Sequence, residues 1–269
     1  MGEAIVITSG KGGVGKTTSS ANIGTALALS GKKVCLVDTD IGLRNLDVIM
    51  GMENRIVYDI VDVVEERCKI RQALVVDKRF DKLLYLLPAA QTSDKNDITP
   101  EQMKALVAEL KQEYDYVIID CPAGIERGFR NAVAGADRAI VVTTPERASV
   151  RDADRVIGLL EKEEHIQSTM LIVNRIRTHL VENQDMMSIE EVIDRLYIEL
   201  LGVVVDDDMI IKSSHNGVPI TMDPNNPASL AFRNIARRIL GDKIPLMNLN
   251  TQQPTGMFAK FKKMFGVRS

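Results

Sequence analysis

The run Gly10-Lys11-Gly12-Gly13-Val14-Gly15-Lys16-Thr17-Thr18 constrains this chain more than any other feature. Gly10, Gly15, Lys16 and Thr17 satisfy the pattern G-x-x-x-x-G-K-[ST], in which glycines let successive backbone N–H groups converge on phosphate oxygens. Such a loop needs a buried strand before it and a helix N-terminus after it, because the helix end adds its own partial positive charge. Both flanks are present. Ala4-Ile5-Val6-Ile7 is an unbroken apolar run, and Thr17 to Ser30 reads as a helix. In that frame the residues from Lys11 to Thr18 surround a nucleoside triphosphate, Lys16 neutralises phosphate oxygens, and Thr17 offers its hydroxyl to Mg²⁺.

A strand–loop–helix start implies an α/β chain, and the rest of the sequence continues the alternation. Lys33 to Asp38, Leu83 to Leu87, Tyr116 to Asp120, Ala139 to Thr144, Thr169 to Asn174 and Leu201 to Val205 are short runs rich in Val, Ile and Leu. Helical spacing separates them, as in Met103, Leu106, Val107 and Leu110, or Phe232, Ile235, Ala236 and Ile239. The expected fold is a mostly parallel β-sheet flanked by helices on both faces, with ligands at the carboxyl ends of the strands. One domain over residues 1–240 accommodates all of these elements.

Acidic residues fall where such a fold would use them. The second strand ends in Asp38-Thr39-Asp40, followed by the irregular stretch Ile41 to Asp47. A carboxylate there can orient a water toward a γ-phosphate or hold a water ligand of Mg²⁺, but it can equally cap the next turn. The strand Tyr116 to Asp120 delivers Asp120 to the same edge, followed by Cys121-Pro122-Ala123-Gly124. Asp120 is the expected contributor to the Mg²⁺ shell, and Gly124 allows a close backbone approach beside it.

With Lys11, Asp40 and Asp120 in place, the chain resembles the MinD family, bacterial division-site ATPases of the deviant Walker A class of P-loop NTPases. The resemblance covers nearly the whole chain and is carried by Thr8 to Ser20, Asp40 to Gly51, Asp120 to Glu126 and Ser149 to Arg155. It implies three roles that spacing alone does not. Lys11 reaches across an ATP-bound homodimer to the partner's phosphates, Asp40 handles the attacking water, and Asn174 in Val173-Asn174-Arg175 reads the adenine edge. Lys11, Lys16 and Asp40 are then the catalytic set, Thr17, Asp40 and Asp120 the Mg²⁺ set, and basal ATP hydrolysis is slow until a partner stimulates it. The resemblance further implies that a division inhibitor is recruited and that a topological regulator acts on the complex. Arg151-Asp152-Ala153-Asp154-Arg155, taken as a helix start, offers Arg151, Asp152 and Asp154 as a docking surface or forms an ordinary solvated face.

The far end carries a separate signal. Gly241 to Thr255, with Pro245 and Pro254 among Asn and Gln, suits a flexible linker, and residues 256–269 suit an amphipathic helix. At about 100° per residue, Met257, Phe258, Phe261, Met264 and Phe265 share one face and Lys260, Lys262 and Lys263 lie opposite. That is the pattern of a helix lying in a membrane interface. The whole chain sums to −3, and the tail carries four basic and no acidic residues, so the remainder is strongly acidic. Attraction to an anionic bilayer is therefore local to the tail.

Magnitudes set how the tail works. Burying five large apolar side chains yields on the order of 10 kcal/mol gross, and three lysines add about 3 on anionic lipid. Ordering roughly a dozen residues at about 1 kcal/mol or more each removes most of it. One tail binds weakly, and two tails on one dimer bind far better.

The remaining composition narrows the class. Cys35, Cys68 and Cys121 have no C-x-x-C spacing, which disfavours a disulfide framework or a simple zinc site and leaves them as buried or free thiols. No basic leader followed by a long apolar stretch precedes the first strand, and no run of about 18 apolar residues occurs, so the expectation is a cytoplasmic protein held peripherally on the inner face of the cell membrane. Two relatives of the same class are the alternatives: a flagellar-number regulator, which shares loop and tail, and a DNA-partition ATPase. DNA is not expected as the main partner, because such binding calls for basic clusters and the body is net acidic.

Overall fold

The computed structural model describes residues 1–91 and 98–246. Its strands are β1 (Glu3–Thr8), β2 (Val34–Asp38), β3 (Val75–Val76), β4 (Leu84–Leu87), β5 (Tyr116–Asp120), β6 (Arg138–Thr143), β7 (Ser168–Ile176) and β8 (Glu199–Val205). The helices are α1 (Lys16–Leu29), α2 (Leu46–Met50), α3 (Ile60–Val64), α4 (Ile70–Ala73), α5 (Pro100–Glu113), α6 (Arg127–Ala134), α7 (Arg147–Leu160), α8 (Thr178–Glu182), α9 (Ile189–Leu196), α10 (Asp208–His215) and α11 (Pro227–Ile239). The strands form one sheet in the order β3-β4-β2-β5-β1-β6-β7-β8. Every pairing is parallel except β3 with β4.

This is the α/β architecture expected from the alternation, and the strand burial explains why. Strands covered by helices on both faces bury consecutive residues, so they read as apolar runs without alternation. Ala4, Val6, Val117 and Ile119 join α5, α6 and α7 in one core, whereas Ile5, Ile7, Leu36 and Ile118 join α1, α2 and α11 in the other. Each strand residue thus feeds one of two cores in turn. β3 was not foreseen, since two residues pairing antiparallel at an edge leave no pattern in the sequence.

The order of the strands places the loop after β1. β1 lies between β5 and β6, and the chain fills first one side of it and then the other. Ligands in open α/β sheets settle where the order reverses in this way, at the carboxyl ends. α1 starts there and is buried on nearly all sides. Its small residues permit this: a Cβ added at Gly24 would lie 2.3 Å from Leu36 Cδ2.

Residues 241–246 follow α11 without regular structure. Arg238 donates from Nη1 to Leu201 O at 2.8 Å, from Nε to Ile244 O at 3.0 Å and from Nη2 to Pro245 O at 2.7 Å. The beginning of the expected linker is thereby tied to α11 and β8. Its remainder, and the expected membrane helix from Met257 to Phe265, lie outside the described residues. Among the described residues no helix is long and apolar enough to cross a membrane.

Candidate nucleotide site

The loop adopts the conformation that its glycines make available. Gly13 at φ 80° and Gly15 at φ 99° occupy the left-handed region, which a side chain at either position would strain. Gly15 is also the N-cap of α1 and provides no side-chain cap, and no acid stands in the first turn. The first N–H groups of α1 are therefore available to an anion, beside the buried ammonium-bearing side chain of Lys16. Lys11, Gly12 and Gly13 are exposed at the rim, while Val14 is buried beneath them.

Two elements hold the loop from below. Ser9 Oγ donates to Lys11 O at 2.8 Å, and Asn174 Nδ2 at the end of β7 donates to Val14 O at 2.8 Å. Asn174 stands so close that a Cβ on Gly15 would meet Nδ2 at 2.2 Å. Its Oδ1 is buried and has no partner among the described residues. An orphaned amide oxygen is costly unless something supplies a donor, and an adenine amino group is a donor of the right kind.

β5 brings Asp120 to the foot of the loop. Ser20 Oγ, one turn into α1, donates to Asp120 Oδ1 at 2.8 Å, and the Thr17 hydroxyl lies near the same carboxylate. Burial pushes this carboxyl up, and those two hydroxyls together with the Lys16 charge hold the rise in check. Thr17 and Asp120, two of the residues expected around Mg²⁺, are thus neighbours at the foot of the loop. Among the described residues no cluster of His, Cys, Asp and Glu would cage a metal by itself. A Mg²⁺ site does not need one, because this ion typically takes one or two protein ligands and completes its octahedron with phosphate oxygens and water. Gly124, at φ 94°, donates to Ser9 O at 3.4 Å and keeps the segment after Asp120 against the loop.

The two acids at the end of β2 and just past it divide the alternatives left open by their spacing. Asp38 is the capping residue: its Oδ1 accepts from Asp40 N at 2.9 Å and its Oδ2 from Leu46 N at 3.2 Å. Asn45, the N-cap of α2 by position, makes no side-chain cap, so a buried carboxylate seven residues earlier does that work. Asp40 is half-buried, and its carboxylate has no hydrogen-bond partner among the described residues. It is free to act on a bound group, and it lies near enough to contribute to the upward shift of both Asp38 and Asp120.

One expectation is corrected. Arg151 to Arg155 do not begin a helix, because α7 starts at Arg147 behind Pro145 and runs to Leu160. The segment is the second turn, with Arg151 and Asp154 exposed and Asp152 half-buried. Neither Arg151 nor Arg155 forms an ion pair among the described residues. Asp152 touches the loop directly, since a Cβ on Gly10 would lie 2.1 Å from its carbonyl oxygen. Sequence reasoning also missed Ser20, whose partner is a hundred residues away.

Comparison with known proteins agrees with this geometry. A family model described as an AAA domain matches residues 2–173. The septum site-determining protein MinD of Bacillus subtilis (strain 168) is 70% identical over 269 residues, covering 100% of both chains. Among solved structures, a MinC:MinD cell division protein complex from Aquifex aeolicus superimposes with a TM-score of 0.85 at 50% identity, over 91% of this chain and 99% of that one. MinD of Pyrococcus horikoshii OT3 complexed with Mg-ADP gives 0.80 at 29% identity, over 91% and 100% of the two chains. By identity over its full length and by fold, the chain belongs to the MinD family of septum site-determining proteins.

Proposed function

We propose that this chain is an ATPase that couples its nucleotide state to attachment at the membrane and so positions the division site. The observation that carries this reading is the buried Lys16 at the uncapped start of α1, with Ser20 bonded to Asp120 beneath it. Mg-ATP would lie along the loop from Lys11 to Thr18, its adenine on Asn174. Thr17 and Asp120 would hold Mg²⁺, Thr17 directly and Asp120 through its shell, while Asp40 directs the attacking water and helps fix the ion. The bound ion supplies charge neutralisation at the phosphates. Lys11 is half-exposed and lies 3.9 Å from Glu146, a weak hold that permits it to swing to a second protomer.

ATP then joins two protomers, and each contributes a tail of residues 256–269. Two weak anchors acting together keep the dimer on the inner face of the membrane, and hydrolysis separates the protomers and releases them. The Aquifex aeolicus relative is solved in a complex with MinC, which supports recruitment of a division inhibitor here. The α7 surface around Arg151, Asp152 and Asp154 is our assignment for that inhibitor or for a topological regulator. Light scattering with simultaneous phosphate release tests the core of this reading. The expected result is a dimer in Mg-ATP, a monomer in Mg-ADP, loss of nucleotide binding in Lys16→Ala, and a non-hydrolysing dimer in Asp40→Ala. A monomer in every nucleotide state would overturn it.

A further inference from the structure

The nucleotide loop occupies the carboxyl end of the sheet. At the opposite, amino end of edge strand β8 stands Tyr197, the C-cap of α9, which is 89% exposed and sits at φ 52°, ψ 30°. Arg175 at φ 54° shares this left-handed region, but Tyr197 is the only aromatic residue among the described ones to occupy it. Its N–H donates to Ile193 O at 3.0 Å and ends the helix, a position usually given to glycine or asparagine because a bulky side chain strains the backbone there. The ring thus carries strain and is buried against nothing, and its hydroxyl has no partner among the described residues. A strained residue that contributes no packing points to a role outside the fold.

Its position says what it faces. Arg238 joins Leu201 O, in the third residue of β8, to Ile244 O and Pro245 O, so the segment leading to the tail starts from the same end of the same strand. Gly202 permits this closure, since a Cβ there would lie 2.4 Å from Ile235 Cγ1. Pro245 and Leu246 are exposed. Residues 247–256 intervene before the apolar stripe of the tail, and a flexible chain of about ten residues has a typical reach of about 17 Å. A bilayer holding the tail therefore lies against this corner of the body. Charge here is mixed, with Lys243 beside Asp242 and Glu199 at the start of β8, all exposed, so a contact would be made by the ring and not by Coulomb attraction. Tyrosine suits a bilayer interface because its ring is apolar while its hydroxyl stays wet.

We infer that Tyr197 is a second membrane contact, a ring on the body that enters the headgroup region once the tail has brought the protein to the bilayer. This contact presupposes the membrane attachment proposed above. It also orients the body, with the amino end of the sheet toward lipid and the nucleotide loop facing away. The chain contains no tryptophan, so Tyr197→Trp in the full chain installs a single reporter that keeps the interfacial preference. With anionic liposomes in Mg-ATP its emission is expected to shift to shorter wavelength and to be quenched by lipid brominated in the upper acyl chain. Tyr197→Asn, a residue type that tolerates the left-handed region, is expected to keep or raise stability in urea and to leave ATP hydrolysis unchanged, while weakening liposome binding about fivefold. Co-sedimentation of the same samples separates the outcomes. Pelleting with unshifted Trp emission, or pelleting of Tyr197→Asn equal to that of the unaltered chain, would overturn the proposal and leave the tail reading standing. No pelleting in Mg-ATP would overturn both. An emission shift in Mg-ATP without liposomes would mean that a second protein surface covers the ring, and would overturn the assignment to lipid.

Discussion

Asp38 pairs in register with Asp120 across β2 and β5, and both are buried, yet their surroundings differ. Burial, with the neighbouring Asp120 charge added, pushes the Asp38 carboxyl upward, and the N–H groups of Asp40 and Leu46 only partly offset this. Asp38 is built to hold the segment that carries Asp40, and Asp120 to present a carboxylate at the loop. Removing the Asp38 side chain leaves two buried N–H groups without acceptors. Asp38→Ala is expected to lose about 2–3 kcal/mol in urea unfolding, and Asp38→Asn, which keeps one acceptor oxygen, about 1 kcal/mol. Equal losses in the two variants would show that the bonds to Asp40 and Leu46 do not matter.

The thiols give a second expectation at this scale. Burial pushes the Cys121 thiol up to about 12 and the Cys35 thiol higher still. A raised value lowers the thiolate population at any given pH, and the thiolate is the reactive species. Burial and the Asp62 and Asp59 charges raise the Cys68 thiol as well, but it alone of the three is reachable from solvent, so at pH 8 the folded chain should react with a thiol reagent at Cys68, between α3 and α4. Modification of Cys121 without unfolding would contradict this.

At the scale of elements, α1 is joined to α11 through buried polar groups. Asn22 Oδ1 accepts from Thr221 N at 2.9 Å and from Thr221 Oγ1 at 2.8 Å, and Arg233 on α11 donates to Thr221 O at 2.9 Å. Thr221 lies in the short 3₁₀ turn Ile220–Met222, so three elements meet at one residue. Asn22→Ala is expected to destabilise the chain by about 2–3 kcal/mol in chemical unfolding, because Thr221 N is buried and would be left unmet. A change below about 0.5 kcal/mol would mean that apolar packing of the two helices suffices.

The same scale shows what the sequence discloses and what it hides. The strands from β1 to β8 other than β3 are legible because burial on both faces leaves continuous apolar runs, and the loop is legible because its glycines have one conformational purpose. Asp120 is legible as the last residue of such a run. The bond from Ser20 to Asp120, the capping of α2 by Asp38 and the left-handed Arg175 are not. Each depends on which strands become neighbours, and no local pattern records that. The start of α7 was misplaced for a different reason: Glu146, Arg147 and Ala148 follow Pro145 with no capping Ser, Thr, Asp or Asn to mark the boundary.

For the whole molecule, the described body supplies a nucleotide site at one edge of the sheet, and Arg238 ties residues 244–245 to β8. The four basic residues of the tail oppose an acidic remainder, so attraction to an anionic bilayer is confined to the segment that also carries the apolar stripe. Under the proposed function, a tail this short would bind marginally alone, and ATP-driven pairing would double it and so convert a nucleotide signal into residence on a surface. Co-sedimentation of the full chain with anionic liposomes in Mg-ATP and in Mg-ADP, beside a chain lacking residues 257–269, tests that link most directly. Pelleting that needs both ATP and the tail is the predicted result. Equal pelleting in the two nucleotides, or by the truncated chain, would contradict it.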